Sequence, residues 1–355
     1  MMTTFNHARA KESFDSAFED ASRILLDATA TGKVQAASIY VRDAAQQQSR
    51  GFGAALDSNA IFLLGSISKP IAMTALMTLY DEGLFELDDP VQKFLPDFRG
   101  GGRERVTLRH VLTHTSGLPD QLPNNADLRA SHAPLSAFVE GTMEVPLAFA
   151  PGANYEYSSM GIMLGAEIAQ RLSGVEIKRL VHERVLKPLE MSHSAIGMGS
   201  LDSKNVMPVQ VEYGAEESGG GSTDSRDWNW NSPYWRNLGA PWGGVQASAP
   251  DVGRFLDDMM SNKETILRPE TKRLMTHNHN PAPLASRGLA FDVDMRIYAP
   301  ASSSESFGHT GSTGTIAWAD PKLDRVCVVL TTLPARATDT DEHPRQKASL
   351  AIGGK

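Results

Sequence analysis

Ser66 and Lys69, in the stretch Phe62-Leu63-Leu64-Gly65-Ser66-Ile67-Ser68-Lys69-Pro70, form the only Ser-x-x-Lys in the chain. A hydroxyl and an amine at this spacing can make a nucleophile. On a helix, residues three apart lie one turn apart over the same face. A serine at a helix start sits beside free backbone N–H groups and the positive end of the helix dipole. A lysine held in a partly apolar wall can lose its proton and act on the serine hydroxyl. The same residues admit a plainer reading, with Ser66 as an N-cap and Lys69 as a surface cation. The elements that must position the pair are an apolar lead-in ending at Gly65 and a predicted helix over 66–80, stopped by Gly83. There Ile67, Ile71, Thr74 or Ala75, and Thr78 or Leu79 recur at three-to-four spacing, which buries one face.

The rest of the chain reads as follows. Residues 8–31 form an amphipathic helix with Phe14, Phe18, Ala21, Leu25 and Ala28 on one face and Gly32 as its stop. Residues 36–41 and 48–53 form a hairpin. A helix begins after Thr107 and ends at Gly117. Further helices are expected at 135–145, 159–173 (ending at Gly174) and 175–186. The Gly-, Ser- and Glu-rich segment 214–226 reads as a mobile loop. An aromatic cluster follows: Trp228, Trp230, Tyr234, Trp235 and Trp242. Pro250-Asp251-Val252 opens another helix. Residues 314–319 and 325–331 read as adjacent antiparallel strands joined at Asp320-Pro321, and the polar tail 336–355 as loosely held. Strands near both ends with helices between suggest an α/β (α+β) fold. One lobe is built from 1–65 and 240–355, with an inserted, mostly helical lobe over 66–239.

The 355-residue chain is 41% hydrophobic and 21% charged, which fits a soluble globular protein with a sizeable core. Its net charge of -8 is spread along the chain, so it carries no basic footprint for nucleic acid or anionic membrane. The N-terminus lacks a secretory apolar region, and no run reaches the ~18 apolar residues of a membrane span. A cytoplasmic protein without nucleic-acid or membrane partners is expected. The single cysteine, Cys327, reads as a small buried strand residue. His110 and His114, and His277 and His279, lack a third ligand, so neither a metal nor another cofactor is expected. Gly308, Gly311 and Gly314 mimic a dinucleotide pattern, but no helix follows them.

Three stretches fall in order along the chain: Ser66-Ile67-Ser68-Lys69, Tyr157-Ser158-Ser159, and Gly308-His309-Thr310-Gly311-Ser312-Thr313-Gly314. Their order and spacing resemble the serine β-lactamase and penicillin-recognising superfamily. The branch is that of class C β-lactamases, His-Thr-Gly-type D-alanyl-D-alanine carboxypeptidases and carboxylesterases of the same fold. The resemblance covers roughly residues 10–335. It extends through Leu108-to-Leu118, Lys187-Pro188-Leu189-Glu190-Met191 and Gly243-to-Asp251. It implies an antiparallel sheet flanked by helices, with Ser66 as the nucleophile of an acyl-enzyme. Lys69 would ease its deprotonation, and Tyr157 would relay a proton between serine and leaving group. The backbone N–H groups of Ser66 and Ser312 would form an oxyanion hole, with His309, Thr310 and Gly311 along the substrate edge.

Two departures bear on substrate. The second motif usually ends in Asn, but here ends in Ser159, a shorter group with one donor instead of two. That weakens the case for amides and β-lactams more than for esters. His309 stands where Lys is commoner. A histidine is partly charged near neutral pH, so carboxylate binding should weaken as pH rises. Trp242-Gly243-Gly244 resembles an alternative third motif found in some esterases, and Trp242 is a candidate wall of the substrate cleft. The expected function is a serine hydrolase acting on short-chain esters. A β-lactamase, a D-amino-acid peptidase and a non-catalytic ligand-binding protein of the same fold are the alternatives. The expected partner is a small ester or amide; the sequence does not give the oligomeric state.

Overall fold

The computed structural model describes residues 2–354, and its layering follows from one strand. In Arg325–Thr331, Val326, Val328 and Leu330 alternate with Cys327 and Val329, and all five are buried. Successive side chains on a strand point to opposite faces, so this strand needs apolar cover on both sides. The two sets belong to two separate cores.

The strands are β1 (Ala36–Asp43), β2 (Gln46–Gly53), β3 (Phe62–Leu63), β4 (Ser194–Ile196), β5 (Val245–Ala247), β6 (Asp292–Val293), β7 (Phe307–Gly311), β8 (Thr315–Asp320) and β9 (Arg325–Thr331). The main sheet has the order β2-β1-β9-β8-β7-β6 with every pairing antiparallel, and β3-β5-β4 make a small second sheet. The helices are α1 (Met2–Ala30), α2 (Ser68–Asp81), α3 (Leu108–Leu112), α4 (Asn125–Ala130), α5 (Leu135–Glu144), α6 (Ser159–Ser173), α7 (Ile177–Val181), α8 (Pro233–Leu238), α9 (Ala249–Met260), α10 (Pro269–Thr276) and α11 (Pro344–Gly353).

One core joins Phe14, Phe18 and Leu25 of α1 to Ile39, Ile316, Trp318 and Val329 of the sheet and Ile352 of α11. The other joins Tyr40, Ala317, Val328 and Leu330 to α9 through Phe255 and to the helical region through Ile71, Leu76, Ile162 and Leu164. Each Leu, Ile, Val or Phe among them contributes about 1.5–3 kcal/mol on burial. The fold is therefore mixed α/β, an antiparallel sheet between helices, as expected. Among the described residues no helix is long and apolar enough to cross a membrane.

Three expectations are corrected. The tail is not loosely held, because α11 packs on α1 and the sheet. Ala348 and Ile352, four residues apart, enter the α1 core, Ser349 accepts a hydrogen bond from the Trp318 indole at 2.9 Å, and Arg345 is buried. Its polar groups have partners, which composition alone does not reveal. Segment 214–226 is folded into tight 3-10 turns, Glu216–Ser218 and Thr223–Ser225. Ser218 and Ser225 donate back to the carbonyls of Ala215 and Ser222, at 2.8 and 2.7 Å. The helix after Thr107 is also shorter than expected. Thr107 caps it by accepting from the His110 N–H, but it ends at Leu112, and His114 turns the chain at φ +59°.

Candidate active site

Ser66 sits in a 3-10 turn, Gly65–Ile67, that leads into α2, and its side chain caps neither helix. The N-cap reading is thereby replaced. Lys69, one turn on, is not a surface residue. It is 1% exposed, and its Nζ donates to Ser66 Oγ and to the Trp242 carbonyl, both at 3.0 Å. Burial lowers the Lys69 ammonium to about 7. Asp120 pulls it upward, while the Arg287 cation pushes it further down. A buried amine near neutrality with a hydroxyl in hydrogen-bond reach is the geometry of a general base beside its nucleophile.

The strand carrying the third motif reaches this turn because neither side has a side chain in the way. A Cβ on Gly311 would meet the Leu64 carbonyl oxygen at 2.2 Å, and one on Gly65, whose φ is +58°, would lie 3.1 Å from Ser312 N. Thr313 and Thr315 fasten the contact, donating to the carbonyls of Leu63 and Leu64 at 2.7 Å each. The backbone N–H of Ser312 is thus brought beside the turn that carries Ser66.

Tyr157 precedes α6, whose N-cap is Ser158. Its ring lies under Lys69 Nζ, 4.6 Å from the centroid, and packs on His114 at 4.6 Å between centroids. Burial pushes its phenol well above the ordinary value, against the opposing pull of Arg287 and the Ser66 hydroxyl. The phenol therefore stays protonated. His114 is fully buried, accepts from the Ser158 N–H at 3.1 Å, and is held neutral by burial. Ser159 donates its hydroxyl to Asp120 Oδ1 at 2.5 Å, and its backbone N–H reaches the same oxygen at 3.0 Å. The hydroxyl that stands in for a carboxamide is spent on a neighbouring carboxylate.

His309 departs from expectation. It is 4% exposed, its Nε2 lies 3.5 Å from the Tyr157 hydroxyl, and it does not line the cavity beside Ser66. Arg287 Nη2 lies 2.6 Å from its Nε2. An arginine only donates, so Nε2 accepts and Nδ1–H donates to the Thr310 carbonyl, at 2.6 Å. Burial and Arg287 hold the ring neutral, so the expected partial charge is absent. The fixed cation here is Arg287, ion-paired with Asp292. Thr310 and Gly311 belong to the same strand but do not line the cavity either.

The cavity of about 120 Å³ joins Ser66, Tyr157, Ser159, Trp242 and Ser312, from four distant parts of the chain. It also exposes residues that sequence reasoning missed: Asp120, Gln121, Arg129 and Glu217. Asp120 and Gln121 follow directly on Leu118-Pro119, so extending that stretch would have found them. Arg129 on α4 and Glu217 in its 3-10 turn carry no local signal. Their position depends on packing across the helical region, where Asn125 of α4 donates to the Glu217 carbonyl at 3.3 Å.

The Beta-lactamase family profile matches residues 21–352. Esterase EstB from Burkholderia gladioli is 32% identical over 199 residues, a match spanning 52% of this chain and 50% of that esterase. Among solved structures, EstCE1, a hydrolase with promiscuous acyltransferase activity, superposes with a TM-score of 0.75 at 19% identity, covering 96% of this chain and 99% of that one. The octameric penicillin-binding protein homologue from Pyrococcus abyssi gives a TM-score of 0.74 at 21% identity, covering 94% of this chain and 76% of the other. At these identities the structural likeness speaks for the fold alone.

Proposed function

The chain belongs to the beta-lactamase family, and from that premise we propose that it is a serine hydrolase that cleaves short-chain carboxylic esters through an acyl-enzyme on Ser66. The observation that carries this reading is the 3.0 Å contact between Ser66 Oγ and a buried Lys69 whose pKa is lowered to about 7. Lys69 takes the hydroxyl proton as Ser66 attacks the ester carbonyl. The N–H groups of Ser66 and Ser312 receive the developing oxyanion. Tyr157, kept protonated by burial, hands its proton to the leaving alkoxide and recovers one from Lys69. Water then cleaves the acyl-enzyme by the reverse relay. The two protons belong to a coupled pair.

Esters are favoured over amides because the Ser159 hydroxyl is committed to Asp120. No carboxamide stands at that position to hold a substrate amide. The partial match to EstB supports the same choice. A pure binding protein has no use for a near-neutral lysine on a serine hydroxyl. The test is hydrolysis of p-nitrophenyl butyrate and a chromogenic cephalosporin by the protein and its Ser66→Ala variant. Ester turnover lost in the variant, with slow cephalosporin turnover, is expected. Fast, Ser66-dependent cephalosporin turnover would move the activity to a β-lactamase, and equal ester turnover in the variant would end the acyl-enzyme reading.

A further inference from the structure

The cavity beside Ser66 holds a cation that the mechanism above does not use. Arg129 of α4 is 1% exposed and lines the cavity. Its guanidinium stacks on the Trp235 ring, 3.9 Å from the centroid, and its Nε donates to Asn125 Oδ1 at 3.2 Å. Among the described residues its Nη1 is buried without a partner, and so are the indole N–H groups of Trp235 and Trp242, which line the same cavity. A buried donor left unpaired is costly, and more so when charged. Among the described residues Arg129 forms no ion pair, although Glu217 lines the same cavity. Among the described cavity residues Gln121 Oε1 is a buried acceptor without a partner, but it bonds none of these three donors.

We propose that Arg129 receives an uncharged carbonyl oxygen carried on the substrate's acyl chain, so that the preferred esters are those of short oxo-acids rather than plain alkanoic acids. This rests on the acyl-enzyme reading. The acyl group, not the alcohol, is taken to fill the cavity beside Ser66, because the acyl group stays on the serine while the alcohol leaves. The volume of about 120 Å³ suits a short chain, since a cavity of about 150 Å³ accommodates benzene. The acceptor is uncharged because Asp120 and Glu217 already bring carboxylates to this space. Burial raises the Glu217 carboxyl even against the pull of Arg129. A third carboxylate would add like-charge repulsion. Arg129 acts as the specificity determinant, its plane fixed by Trp235 and Asn125.

The experiment compares three p-nitrophenyl esters of matched length: the pentanoate, the 4-oxopentanoate and the succinate half-ester. For the wild-type protein, kcat/KM for the 4-oxopentanoate should exceed that for the pentanoate by about tenfold or more, as a hydrogen bond to a charged group allows, and should exceed that for the half-ester. In Arg129→Met the ratio of the first two should fall to near one. Should that variant not fold, Arg129→Lys and the wild-type ratio still decide. A wild-type protein that handles pentanoate as well as 4-oxopentanoate, a ratio unchanged in the Arg129 variants, or a half-ester that is the best substrate would each overturn the proposal. Ser66→Ala separates the two readings. If that variant is as active as wild type, the acyl-enzyme reading falls and takes this one with it. If activity needs Ser66 but the oxygen makes no difference, only this one falls.

Discussion

Arg345 donates through Nη1 to the carbonyl oxygens of Gly311 and Thr315, at 2.5 and 2.8 Å. The Gly311 carbonyl shares one planar peptide unit with the Ser312 N–H. A cation fixing one end of that unit therefore fixes the direction of the other, and strengthens it as a donor by polarisation. Arg345 is thus a positioning residue for the proposed oxyanion hole, reached from the C-terminal helix α11. Removing an oxyanion donor costs about 10²–10³ in kcat. Arg345→Met, acting through that donor, should lower kcat by roughly tenfold to a hundredfold, with KM little changed. Arg345→Lys should recover part of the loss. Inhibition by a phenylboronic acid, whose serine adduct is tetrahedral, should weaken in parallel with kcat. A folded Arg345→Met variant with unchanged boronate affinity would remove Arg345 from this role.

The pH dependence of turnover follows from Lys69. An amine can act as the proposed base only when neutral, so kcat/KM should rise with pH through an inflection near 7, the lowered value of the Lys69 pKa. His309 and His114 are held neutral by burial and add no ionisation of their own in that range. A pH–rate profile of Ser66-dependent ester hydrolysis reads this directly. A flat profile between pH 6 and 8 would argue against Lys69 as the base.

The same lysine should lower stability. Its folded pKa lies below the ordinary 10.5, so between about 7 and 10.5 the unfolded chain binds more protons than the folded one. Stability therefore falls as pH drops through that window and levels off below it. The full difference corresponds to roughly 5 kcal/mol at 1.36 kcal/mol per pH unit, before its hydrogen bonds offset part of it. Lys69→Met should be inactive yet more stable at pH 7 by about 1–3 kcal/mol, read from denaturant midpoints.

Asp120 raises the Lys69 pKa by charge. Asp120→Asn should therefore shift the acid limb of the pH–rate profile to lower pH, because protonated Lys69 loses a stabilising anion. A shift to higher pH would mean that the carboxylate acts mainly through Ser159.

Gly311→Ala tests the close approach of β7 to the nucleophile turn. With its Cβ only 2.2 Å from the Leu64 carbonyl oxygen, either the strand or the turn must move. Overpacking of this kind costs typically 1–3 kcal/mol, and here it would also separate Ser312 N–H from Ser66. Thermal unfolding and kcat should fall together.

The local elements were written in the sequence itself. Apolar spacing and turn residues mark α1 with its stop at Gly32, the hairpin, α6 with Gly174, and the pair β8 and β9, because these depend on neighbours along the chain. The three motif stretches were equally legible, since their residue types and order carry the chemistry. Packing decided the rest. Lys69 became a buried near-neutral amine because the surrounding core closed over it. His309 became neutral because it is buried and because Arg287, twenty-two residues away in sequence, donates to its Nε2. The polar tail became a helix because Ala348 and Ile352 found the α1 core and Arg345 found two carbonyls. Arg129 and Glu217 met in one cavity through contacts between segments about ninety residues apart. A charge state or a shared wall depends on what lies across space, which periodicity along the chain does not encode.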